Sequence, residues 1–177
     1  VTPCVGDVWA VRTGGWGGTL IRLGEHLAGK PDLDNHIVVV HHQDPNGVVW
    51  GVEGRPGGVG WADLTKYQRD AATVTNALQP KTNEQRVMVA QIMVQMLGTP
   101  YDWSGIAVDA ARDLHIPDLF AENWHGQGTP GHVVCSSLAD WAYEKVGLPH
   151  PDVHGERYCQ PSDWTAWNRK QAWKAAA

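Results

Sequence analysis

Apolar and polar positions follow two different rhythms along this chain. In the first half, apolar residues come in short runs of strand composition. Residues 7–12 (Asp7, Val8, Trp9, Ala10, Val11, Arg12) read as a strand, followed by a glycine-rich turn over 14–18. Leu20, Leu23 and Leu27 recur at helical spacing, which predicts a short helix over 19–28 closed by Gly29 and Pro31. His36, Ile37, Val38, Val39, Val40 and His41 form a run that is apolar on both faces, as a central strand requires. Asp44, Pro45, Asn46 and Gly47 predict a hairpin-type turn, with a return strand over 48–53. Residues 54–60 read as a loop and 73–78 as a further strand.

The second half reads as helices. Thr82 and Gln85 have the spacing of a capping box, in which each side chain bonds the other residue's backbone N–H. They open a helix to Leu97 that is apolar almost all round (Val87, Met88, Val89, Ile92, Met93, Val94, Met96), a pattern that predicts burial. Gly98 and Pro100 end it. A second helix is expected over 106–114, a loop over 120–131, and a third helix over 136–146 with Leu138, Trp141, Ala142 and Val146 on one side and Gly147 at its end. Strands followed by helices predict an α+β fold, a sheet with helices packed against it. The whole chain, residues 1–177, reads as one domain.

Composition narrows the partners. The residues AVILMFWYC make up 42% and charged residues 19%, which describes a globular chain. Lys and Arg number 14 against 19 Asp and Glu, so no basic stripe is available and nucleic acid is not an expected partner. No run approaches the ~18 apolar residues of a membrane span. Val1, Thr2, Pro3 and Cys4 show neither the basic nor the apolar segment of a signal peptide, so none is expected there. Ten Trp against one Phe leave two readings open, structural packing or a cleft wall for a polar substrate. Three cysteines (Cys4, Cys135, Cys159) do not make a disulfide framework, and one bridge or none remains open.

Cys135 lies directly before a predicted helix. Unpaired N–H groups and partial positive charge at a helix start stabilise a thiolate, although a buried inert thiol is the commoner use of a cysteine. A thiolate nucleophile needs a base that also donates a proton, the role of histidine. His36 opens a strand, and the next strand ends at Glu53, so a hairpin would bring a carboxylate beside the imidazole and orient it. Metal binding is the rival chemistry. His41 and His42 are adjacent, so they are expected on opposite faces of a strand. His150, His154 and Cys159 have only part of a zinc spacing. The glycines at 14–18 lack a phosphate-loop pattern.

Several segments together resemble the NlpC/P60 superfamily. Leu97-Gly98-Thr99-Pro100-Tyr101-Asp102-Trp103-Ser104-Gly105 is similar to that family's LGxPYxWGG segment. Val134-Cys135-Ser136-Ser137-Leu138, with Trp141-Ala142-Tyr143 and Val146-Gly147-Leu148-Pro149, is similar to its nucleophile helix and the exit from it. Gly6-Asp7-Val8, the His36 strand, Val52-Glu53 and Pro161-Ser162-Asp163-Trp164 stand in the order of the circularly permuted branch, with the His strand first and the Cys helix last. The resemblance implies a papain-like antiparallel sheet packed against helices. By position it makes Cys135 the nucleophile, His36 the base, Glu53 the orienting group and Tyr101 an oxyanion donor beside the Cys135 backbone N–H. Val134 and Ser137 replace the family's usual Asp and Gly, and the interval from Tyr101 to Cys135 looks like an insertion, with Trp124 and His125 lining one cleft wall.

The implied activity is cysteine hydrolysis of an amide or peptide bond, foremost in bacterial cell-wall peptidoglycan, with no metal or organic cofactor. The permuted branch also implies lipid amide or ester hydrolysis, or acyl transfer. A catalytically silent module that binds cell wall or a partner on the same fold is the non-enzymatic alternative. By analogy such a domain would belong to a phage virion, a phage tail, a lysis system or a secreted wall-degrading protein.

Overall fold

The computed structural model describes residues 4–14, 26, 34–67, 82–104, 133–151 and 159–176, with side chains of the last helix described to residue 171. These residues form an α+β arrangement of four antiparallel strands and three helices. The strands are β1 (Val8–Val11), β2 (His36–Gln43), β3 (Val49–Arg55) and β4 (Gly58–Asp63), in that order across the sheet. A 3₁₀ turn (Leu64–Lys66) follows β4. The helices are α1 (Asn83–Gln95), α2 (Cys135–Val146) and α3 (Pro161–Ala176).

Alternation along the strands separates two apolar layers. Val8, Ala10, Ile37, Val39, Val52 and Val59 meet the helices through Val89, Met93, Leu138, Ala139, Ala142, Tyr143 and Trp164. Trp9, Val11, Val38, Val40, Val49, Ala62 and Leu64 form the second cluster, with Tyr67 against it. Apolar side chains on both faces of β2 therefore fit its place between β1 and β3.

Local chemistry sets the helix ends. Thr82 accepts from the Gln85 N–H at 3.1 Å while Gln85 accepts from the Thr82 N–H at 3.1 Å, the reciprocal cap that the spacing predicts. Gly98 follows α1 and Gly147 ends α2, with φ of 83° and 69°, conformations that glycine adopts without strain. Pro161 opens α3, and Asp163 accepts from the Gln160 N–H at 2.9 Å. Tyr143 in α2 donates to the Gly6 carbonyl at 2.7 Å, and Arg86 in α1 reaches Asp7 at 3.3 Å. The Gly6-Asp7 segment thus ties β1 to two helices.

Three expectations need correction. Residues 54–60 are the end of β3, a tight turn and the start of β4, because the glycines there permit close backbone approach. Helix α1 is covered on one face only: Val89, Ala90 and Met93 are buried, but Val87 and Met88 are 48% and 46% exposed. The tail, given no element from the sequence, is helical from Pro161. A β-bulge between Val40 and His42 breaks the alternation, so the Nδ1 atoms of His41 and His42 lie 3.0 Å apart. Most of the expected turn at 14–18, the helices over 19–28 and 106–114, the strand over 73–78, the loop with Trp124 and His125, and His154 lie outside the described residues. Among the described residues, no helix is long and apolar enough to cross a membrane.

Candidate active site

Cys135 is the first residue of α2. Its cap position is Val134, whose side chain has no polar atom, so the first-turn N–H groups have no side-chain acceptor there. Ser137 instead steadies the entry by bonding the Val134 N–H and carbonyl at 3.1 Å each. The start of α2 lies against β3 at Gly54. A Cβ there would stand 3.3 Å from both Cys135 N and Cα. The β2–β3 ladder runs from Val39↔Val52 to Gln43↔Val49, so His36 and Ile37 extend beyond it. There the His36 side chain and the Ile37 and Ser136 backbone N–H groups face the Cys135 thiol closely enough to favour its anion.

His36 Nε2 lies 2.9 Å from Glu53 Oε2, with both residues buried. An ionised carboxylate only accepts, so Nε2 carries the proton in this bond and Nδ1 is the ring nitrogen left for the sulfur. Glu53 also accepts from the Tyr67 hydroxyl at 2.5 Å, and Arg55 approaches Glu53 Oε1 at 3.4 Å. Tyr101 lies near enough to Cys135 for the two to influence each other's ionisation. It arrives by a short parallel bridge, Tyr101↔Val133, with Asp102 N–H on the Val133 carbonyl at 3.0 Å and Val133 N–H on the Pro100 carbonyl at 3.1 Å. Gly98 and Thr99 anchor that segment to Val59 of β4 by two bonds of 2.9 Å.

The electrostatics follow from this packing. Burial alone disfavours a charged imidazole, yet the charge and hydrogen bond of Cys135, then Glu53, raise the His36 pKa to about 9. Burial likewise opposes a thiolate, but His36 and the two backbone N–H groups bring the Cys135 thiol below its ordinary value. The pair therefore favours thiolate and imidazolium together. Burial also works against ionised Glu53; His36, Tyr67 and Lys66 outweigh it and hold the carboxyl below its usual range. Tyr101 and Tyr67 are both pushed up, first by burial and then by the neighbouring anions, so each stays a protonated donor.

No protein-family model matches the chain, and no curated protein matches it significantly. The geometry stands on its own residues. The structure brings together all four side chains singled out from sequence: Cys135, His36, Glu53 and Tyr101. Sequence reasoning missed Tyr67, Arg55 and Gly54. Arg55 is two residues beyond Glu53 and on a strand shares its face, a signal obscured by reading a loop there. Tyr67 carried no local signal. Cys4, Cys135 and Cys159 form no disulfide with one another. Among the described residues, no group of three or more His, Cys, Asp or Glu side chains is arranged to hold a metal ion.

Proposed function

We propose that the chain is a cysteine hydrolase of the circularly permuted NlpC/P60 type, cutting an amide or peptide bond of bacterial cell-wall peptidoglycan. One observation carries the reaction class: a buried helix-start thiol beside an imidazole that favours its anion, the imidazole itself held 2.9 Å from a buried carboxylate. The cell-wall substrate comes from the motif resemblance.

The steps follow from the charges. The Cys135 thiolate adds to the substrate carbonyl carbon, and negative charge moves to the carbonyl oxygen. The Cys135 N–H and the Tyr101 hydroxyl are the donors on hand for that oxygen. The C–N bond then breaks and the His36 imidazolium gives its proton to the leaving amine. Neutral His36 next takes a proton from water, whose oxygen attacks the thioester. The acid leaves and the thiolate returns. Glu53 keeps the ring in one tautomer throughout.

Iodoacetamide tests the first requirement. Cys4 is the more exposed thiol and Cys135 is buried, so faster labelling of Cys135 at pH 7 reports thiolate character rather than access. Peptidoglycan digested with the protein is expected to release peptide fragments with new termini, read by mass spectrometry, and none with Cys135→Ala. Identical digests from both proteins would remove the proposal. Release of an acyl chain from a lipid amide or ester would instead keep the chemistry and change the substrate.

A further inference from the structure

The carboxylate of Glu53 is shared unevenly. Its Oε2 receives both the His36 Nε2–H and the Tyr67 hydroxyl, at 2.9 and 2.5 Å, while Oε1 faces Arg55 at 3.4 Å. Without Tyr67 the carboxylate would keep one short bond, from His36 on Oε2, and only the long contact from the half-exposed Arg55 on Oε1. The short second bond on Oε2 restrains that oxygen, and hence the direction in which it pulls the imidazole. Tyr67 is itself held from several sides. It follows the 3₁₀ turn directly and donates its N–H to the Leu64 carbonyl at 3.2 Å. Leu64 is fully buried against Gly51, where an added Cβ would stand 2.4 Å from Leu64 Cδ1. Asp63 caps the turn through the Thr65 N–H at 2.9 Å. The Lys66 ammonium sits 4.8 Å from the centre of the Tyr67 ring, and that ring meets His36 edge-on at 6.0 Å.

We infer that Tyr67 is a positioning residue: its hydroxyl fixes Glu53 so that the His36 ring keeps its remaining nitrogen on the Cys135 sulfur. This rests on the hydrolase reading and adds a member to that site. The groups that bear on Glu53 are His36 from β2, Arg55 from β3 itself, and Lys66 and Tyr67 from the turn after β4. Behind them stand Cys135 from α2 and Tyr101 from the segment after α1. Removing the hydroxyl takes a donor from the carboxylate, so Glu53 titrates higher. It also loosens the ring, so the imidazolium and the thiolate support each other less. The acid-side midpoint of thiolate formation then moves up, and the alkaline limit of the imidazolium moves down.

The test is the pH profile of Cys135 alkylation by iodoacetamide in the full chain, in wild type, Tyr67→Phe, Glu53→Gln and the double variant. Phe keeps the ring and its packing and removes only the oxygen. Tyr67→Phe is expected to raise the acid-side midpoint by a few tenths of a pH unit, because losing one donor is worth roughly one unit to Glu53 itself and only part of that reaches the thiol through His36. In the Glu53→Gln background the same change is expected to add nothing. Rescue of the wild-type midpoint is not expected from Tyr67→Leu, which lacks the hydroxyl as well. A Tyr67→Phe profile that overlays wild type overturns the inference, as does a shift that persists with Glu53→Gln. If wild-type Cys135 labels no faster than Cys4, the hydrolase reading falls and takes this inference with it. Fast wild-type labelling with no effect of Tyr67→Phe removes only the role of Tyr67.

Discussion

Gly54→Ala probes how closely β3 must approach the reacting thiol. The added methyl would lie 3.3 Å from Cys135 N and Cα and 3.5 Å from the Val134 carbonyl carbon. Ordinary carbon contacts begin near ~3.5 Å, so the helix start must retreat by roughly 0.2–0.4 Å. All three neighbours are backbone atoms, so no flexible side chain can absorb the shift. A displacement of ~1 Å at a reacting group costs about 10²-fold; scaled to a few tenths of an ångström, the loss is roughly 3- to 6-fold. Stability changes little. Overpacking costs about 1–3 kcal/mol, at the low end for one methyl against a movable helix, and the stiffer unfolded chain returns ~0.4–1 kcal/mol.

The assay pairs the Cys135 alkylation rate and peptidoglycan hydrolysis with a urea melt. Gly57→Ala is the control, since a Cβ there meets nothing within 4 Å. The expected signature is slower chemistry at nearly constant stability in Gly54→Ala and wild-type behaviour in Gly57→Ala. Wild-type rates in Gly54→Ala would falsify the claim that this contact sets the position of the sulfur. A loss of several kcal/mol with rates intact would show that the contact serves only the fold.

Three further outcomes follow from the charges. Hydrolysis is expected to decline as pH rises through about 9, where His36 loses the proton owed to the leaving amine, while alkylation of the thiolate does not decline. The stability that His36 contributes is complete below its ordinary value of 6.5 and fades as pH rises through about 9; that of Glu53 is lost on acidification through its depressed pKa, and urea melts across pH read both. Arg86→Ala removes the guanidinium from the fully buried Asp7 and from the Val5 carbonyl, and is expected to cost about 1–3 kcal/mol in a urea melt. A change below ~0.5 kcal/mol, the range of ordinary surface substitutions, would mean that the Cys4 N–H and the other partners of Asp7 suffice.

Much of the local structure was legible because it is encoded over a few residues. The Thr82–Gln85 cap, the stop at Gly147 and the two-faced β2 run each depend on neighbours in sequence. Strand β4 was not legible. Its glycines resemble a loop until one sees what fills the space of their missing side chains: the Thr99 carbonyl 2.8 Å from a Cβ on Gly58, and the Arg55 guanidinium 3.1 Å from one on Gly60. Helix α3 had local signals, Pro161 at its first position and Trp164 and Trp167 at helical spacing, but its packing partners lie far off in sequence, as Trp164 against Tyr143 at 5.4 Å shows. The exposure of Val87 and Met88 shows that an apolar run specifies a helix without specifying which face of it is covered.

The amino-acid order alone placed a thiol at a helix start, an imidazole at a strand start and a carboxylate near the end of the next strand. Helix caps and strand alternation are short-range, so they are written in adjacent residues. Tertiary structure decided that these groups meet. The thiol comes beside the imidazole because Gly54 lets two backbones touch, and Tyr101 comes near the thiol because its segment bridges to Val133. It also decided that Tyr67 completes the carboxylate, since a hydrogen bond between a turn and a strand end depends on distance in space and leaves no periodic trace in the sequence.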